Sequence, residues 1–129
     1  MRYLIDTHIL IWFLEGNKQL SPKYQAIIAN TTNNISVSIV SLWEIAIKMS
    51  IQKLQLSQTL PNIIKQVKKD GIEIMPIDTS HLLKILSLPF YHNDPFDRLL
   101  ISQSIAENLI LLTDDSKFEA YKSEGLVLG

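Results

Sequence analysis

The chain has 129 residues, 47% of them hydrophobic and 19% charged, the proportions of a single soluble domain with a real core. A formal net charge of −1 argues against binding nucleic acid through bulk positive charge, although it leaves room for a local basic rim. The absence of cysteine excludes a disulfide, a cysteine-ligated zinc and a thiol nucleophile and fits a cytoplasmic home; Asp6, breaking the first apolar run, argues against a signal peptide, and no apolar stretch is long enough to span a membrane.

In chain order, Tyr3 to Ile5 reads as a buried strand ending at Asp6, with Thr7 placed to cap the next helix. Residues 8–14, HILIWFL, are apolar almost all round and predict a buried helix in which Trp12 and Phe13 are candidates for an interface; Gly16 and Asn17 stop it. Ser21-Pro22 starts a helix to about Asn30, and 31–34 is a loop. A strand from Ile35 to Ser38 passes into a helix carrying Val40, Glu44, Ile47 and Ile51 on one stripe. Thr59-Leu60-Pro61 opens a further helix that Gly71 ends. Residues 72–77 form a third strand, and Asp78 or Thr79 caps a helix to Leu86. After a helix within 93–108, LILLT at 109–113 is the fourth strand, Asp114-Asp115 caps a short helix, and Leu126 to Leu128 is the last strand. Strands alternating with helices predict a three-layer α/β/α sandwich, one domain over 1–129, around a parallel sheet of about five strands.

The stretch NDPFDR at 93–98 is the most informative. Pro95 suits the first helical position and Asp94 the N-cap, which leaves Asp97 in the first turn. Steps of four from Asp97 reach Ile101 and Ile105, so a carboxylate continues an apolar helix face. The helix dipole favours an acid there; a cation held in a crevice at the end of that face is the sharper reason.

Sites in such folds form beyond the carboxyl ends of the strands. Asp6 ends strand one, Glu44 lies about two turns into the helix after strand two, Asp97 opens the helix before strand four, and Asp115 comes two residues after strand four. Each has an ordinary explanation: a turn or cap for Asp6, an i,i+4 pair with Lys48 or a capping box with Ser41 for Glu44, the dipole for Asp97, an N-cap for Asp115. Their convergence on one sheet edge is what favours a site. Carboxylates gathered in a partly dry crevice need a counter-charge, and oxygen ligands select Mg²⁺ or Mn²⁺. Such an ion, one or two of them, suits phosphoryl chemistry. Thr7 and Thr113, and more weakly Ser38, are candidates to orient water or a carboxylate; ordinary strand-end hydroxyls are the equal alternative. His8, His81 and His92 are scattered and read as packing or surface residues, with His92, beside the NDPFDR stretch, the first candidate for an exception. Arg98 is placed either to contact phosphate or to pair with an acid such as Asp94, and pairing is favoured.

Four segments, YLIDTH (3–8), SVSIVSLWEIAIK (36–48), HNDPFDRLLISQS (92–104) and LLTDDSKF (111–118), in this order, resemble the PIN-domain ribonucleases and, among them, the VapC-type toxins of toxin–antitoxin pairs. The resemblance places Asp6, Glu44, Asp97 and Asp115 as the family's four acids, catalytic and metal-holding. Asp114 is a candidate to share Asp115's role, and Asp94 recurs in the DPFDR motif but is assigned to capping. It implies a Mg²⁺- or Mn²⁺-dependent endoribonuclease that cuts RNA by metal-activated water, leaving 3′-hydroxyl and 5′-phosphate ends. It also implies a homodimer and a small antitoxin whose C-terminal segment covers the active site. A PIN-like RNA- or protein-binding module without cleavage and a housekeeping PIN nuclease are the alternatives. A haloacid dehalogenase phosphatase fails because His8 stands where a second Asp is needed; a phosphorylation receiver fails because Asp6 is single and strand two ends in Ser38; and no glycine-rich loop comes after strand one.

Overall fold

A computed structural model describes residues 1–129. Five strands, β1 (Arg2–Ile5), β2 (Asn34–Ser38), β3 (Glu73–Met75), β4 (Ile110–Leu112) and β5 (Val127–Leu128), form one parallel sheet in the order β3-β2-β1-β4-β5. The chain therefore starts at the centre, builds out to one edge, and returns to add the other side. The order reverses between β1 and β4, where an open parallel sheet leaves a crevice at its carboxyl edge.

Alternation along the strands divides the core into two layers. Tyr3, Ile5, Ile35, Val37 and Leu112 point to one face and meet α1 (Thr7–Glu15), α2 (Pro22–Ala29), α3 (Ile39–Ser50) and α4 (Leu60–Lys69) through Ile9, Leu10, Ile28, Leu42, Ile45, Ile63 and Val67. Leu4 and Leu111 point to the other face, against Leu99, Leu100 and Ile101 of α6 (Pro95–Ala106) and Phe118 and Tyr121 of a 3₁₀ segment, Ser116–Glu124. A further helix, α5 (Thr79–Leu86), packs along α6. This is the α/β/α sandwich with five parallel strands that the alternation of elements predicted.

Several local expectations are corrected. Asp6, not Thr7, is the N-cap of α1: its Oδ1 accepts the Ile9 N–H at 2.8 Å, so Thr7 enters the first turn. The helix α1 is not buried all round, since Trp12 and Phe13 are only partly covered while Ile9 and Leu10 are enclosed. Gly16 ends it at φ 63°, the left-handed conformation glycine tolerates. On α3 the buried face runs through Val40, Ser41, Glu44 and Ile45 and turns away before Ile51, which is exposed. The third strand is shortened to Glu73–Met75, ahead of Pro76.

Arg98 departs furthest from expectation. It pairs with no acid. Its guanidinium is buried beneath the connection from α5 to α6 and donates to four backbone carbonyls, those of Pro89 at 2.9 Å, Leu88 at 3.2 Å, Ile85 at 3.3 Å and His92 at 3.5 Å. Tyr121 Oη lies 3.3 Å from Nη1, and the Phe90 ring covers the cation at 4.0 Å. The planar fork of arginine suits this many-armed contact, which an ammonium cannot reproduce. Replacement of Arg98 by alanine takes one donor from each of these carbonyls and is expected to cost about 2–4 kcal/mol in urea denaturation, with Arg98→Lys recovering less than half.

Candidate metal centre

The crevice at the switch point holds about 200 Å³ and is lined by Asp6, Thr7, His8, Glu44, Lys48, His92, Asp94, Asp97, Asp115 and Lys117, with no apolar side chain among them. Four elements meet there. The end of β1 supplies Asp6, one turn of α3 supplies Glu44, the first turn of α6 supplies Asp97, and the turn after β4 supplies Asp115. The four acids singled out from the sequence are thus brought together by the fold.

Asp6 is buried, 5% exposed, at the end of the central strand. Its carboxylate accepts the Ile9 N–H through Oδ1 and the Thr113 hydroxyl through Oδ2. Thr113 Oγ1 in turn accepts the backbone N–H of Asp115 at 3.1 Å, so one hydroxyl ties the end of β1 to the turn after β4. Burial pushes the Asp6 carboxyl up to about 6, helped by the charge of Asp97 and opposed by these hydrogen bonds and by His8.

Glu44 is equally buried and has both oxygens engaged. Thr7 Oγ1 donates to Oε1 at 2.7 Å and lies 2.9 Å from Ser41 Oγ; Lys48 Nζ donates to Oε2 at 2.7 Å. The i,i+4 pair and the place in the crevice, set against each other in the sequence, coexist, because Lys48 stands at the rim with its head partly in water.

Asp97 is capped from below by Asp94, whose Oδ1 accepts its backbone N–H at 3.0 Å. Its carboxyl is raised first by burial, with the charges of Asp94 and Glu44 adding and the contact to His92 opposing. His92 Nε2 lies 2.7 Å from Asp97 Oδ2. His92, Asp97 and Asp115 each present a ligand atom, all within 4.8 Å of one another. His92 is the residue the sequence underrated: the only signal was its place five residues before Asp97.

Two supporting residues fall elsewhere. Ser38 Oγ accepts the Val40 N–H at 3.1 Å as the cap of α3 and does not line the crevice. Asp114 is exposed and lines a neighbouring cleft with Tyr24, Thr113 and Asp115; Asp115 borders both spaces, whereas Asp114 is not part of the crevice lining. Asp115 serves as a cap too, accepting the Lys117 N–H at 2.9 Å.

Five acids against two lysines, with Asp6 desolvated and no cationic side chain bonded to it, fit a hard divalent cation: oxygen donors, an uncompensated negative field, and room beside them.

The class these features define is an α/β sandwich with an acid-lined crevice at its topological switch point. The chain matches the PIN-domain model over residues 3–124 and belongs to the PIN-domain family, a family of nucleases. No match was found among curated proteins. Its fold is similar to that of a chain in the VapBC2 complex of Rickettsia felis bound to a promoter DNA fragment, with a TM-score of 0.72 and 20% identity, covering 100% of this chain and 98% of that one. It is also similar to FitAcB from Neisseria gonorrhoeae (TM-score 0.65, 13% identity, 99% and 96% covered) and to VapBC-5 from Mycobacterium tuberculosis (0.60, 14%, 99% and 98%). No helix is long and apolar enough to cross a membrane.

Because folding raises the Asp6 carboxyl from 3.8 to about 6, the folded state binds the extra proton between those values, and stability falls as pH rises through them. In EDTA, Asp6→Asn, which can keep the cap and the contact to Thr113, should match wild type below pH 3.8 and exceed it by about 3 kcal/mol above pH 6 in urea denaturation across pH.

Proposed function

We propose that the chain is a Mg²⁺- or Mn²⁺-dependent endoribonuclease, the toxin of a toxin–antitoxin pair. The observation that carries this reading is the convergence of Asp6, Glu44, Asp97 and Asp115 on one wholly polar crevice in a PIN-domain fold. Asp6, Glu44, Asp97 and Asp115 are the residues that would hold the cation, which would supply a lowered pKa to a bound water and charge stabilisation to the phosphate oxygens. The chain's own contribution is positional. Thr113 fixes Asp6 and the Asp115 turn, Thr7 fixes Glu44, and Asp94 fixes the first turn of α6. Lys48 and Lys117, at the rim, offer positive charge to the RNA backbone, so the modest net charge of the whole chain does not count against binding. Unpaired bases of a loop or an end supply what a specific RNA would present.

The neighbours in fold whose descriptions name VapBC systems support a cognate antitoxin as partner; on the reading proposed here it is small and its C-terminal segment covers the crevice. The protein works as a cytoplasmic homodimer, and the exposed Leu82, Leu83 and Leu86 of α5 give association an apolar surface to bury. Incubation with total RNA should give fragments with 5′-phosphate and 3′-hydroxyl ends. End mapping should show cleavage abolished by EDTA, restored by Mn²⁺ or Mg²⁺, and reduced to background by Asp97→Asn, with the circular dichroism spectrum unchanged. Cleavage that survives both treatments overturns the mechanism.

A further inference from the structure

We propose that His92 is a positioning residue for Asp97: it donates one N–H to the carboxylate and so presents the other oxygen to the cation, without itself being a ligand. The inference rests on the metal-dependent reading above and assigns a residue that lies outside its four acids.

Three observations carry it. His92 Nε2 and Asp97 Oδ2 are 2.7 Å apart, the length of a charge-assisted hydrogen bond. A carboxylate that binds a cation is ionised and can only accept, so the proton of this contact belongs to Nε2, and that nitrogen is spent. Asp97 Oδ1, by contrast, receives no hydrogen bond from the protein, and the Asp97 carboxylate belongs to a group in which Asp115 also offers a ligand atom within 4.8 Å.

The support beneath the imidazole is built to hold it. The His92 backbone N–H donates to Tyr121 Oη at 3.0 Å, and that hydroxyl donates to the Pro89 carbonyl at 2.7 Å. Arg98 holds the Pro89 and His92 carbonyls from below. Phe118 sets its ring against the imidazole, with centroids 6.1 Å apart at 68°. Tyr121 and Phe118 are among the most deeply buried side chains. A surface histidine that merely meets a nearby acid needs none of this. Orientation of a ligating carboxylate by a fixed hydrogen-bond donor is a recognised determinant of metal affinity.

The test is Mn²⁺ binding by isothermal titration calorimetry to the wild-type chain, Asp97→Asn, His92→Ala and His92→Gln, the glutamine amide replacing the Nε2–H without an imidazole. His92→Ala is expected to weaken Mn²⁺ by about 10–100-fold and His92→Gln to recover most of the loss. Electron spin-echo spectroscopy of Mn²⁺ on the wild-type chain, which needs no variant to fold, should show no directly bound histidine nitrogen. Unchanged affinity in His92→Ala, failure of His92→Gln to recover it, or a bound nitrogen signal each overturns the proposal while leaving the four-acid reading in place if Asp97→Asn still loses the ion. A wild-type chain that binds no Mn²⁺ overturns both.

Discussion

The carboxylate of Asp6 stands where the central strand ends and the first helix begins, out of water and bonded to no cationic side chain. Burying it carries a penalty that the surroundings reduce without removing. The Ile9 N–H that it accepts starts α1, and the Thr113 hydroxyl joins β1 to the turn after β4, so the cost is shared with groups that the fold needs anyway. The charge of Asp97 adds to it, and Asp97 is in turn raised by the charges of Asp94 and Glu44. A protein selected for stability alone would place an uncharged residue at position 6. That it carries an acid there is the plainest sign that the crevice, not the core, sets the requirements at this edge of the sheet.

The sheet could be read from the residues because its central strands are apolar runs that end at polar or charged ones: Ile5 before Asp6, Val37 before Ser38, Leu112 before Thr113. A parallel order then sends those ends to one edge. The joint position of the four acids is a consequence of that geometry alone. Asp97 was marked by an acid lying on an apolar face, and the buried Ile101 one turn further on shows that the face is real.

What escaped the residues is equally specific. Asp114 and Asp115 are chemically alike, and only the turn after β4 brings Asp115 to the crevice while leaving Asp114 on a neighbouring cleft that Asp115 also borders. A sequence offers Arg98 only side chains, such as Asp94, as partners; its actual partners are backbone carbonyls, which every residue carries. His92 meets Asp97 through the shape of a loop, and no periodicity describes a loop. The stripe on α3 holds at Val40 and Glu44 and fails at Ile51, which is exposed because the helix ends at Ser50 and Ile51 is its C-cap.

The Arg98 contacts also set a rule of length. Connections between elements usually absorb added residues at little cost, since the entropy of a closed loop grows slowly with its size. The connection from α5 to α6 is different: it is held at Ile85, Leu88, Pro89 and His92 by a single side chain. An added residue between Ser87 and His92 would pull carbonyls off the guanidinium and turn the imidazole away from Asp97. The connection from Lys53 to Thr59 has no such anchor to the crevice. The spacing of this one loop is therefore as much a part of the site as the side chains that line it.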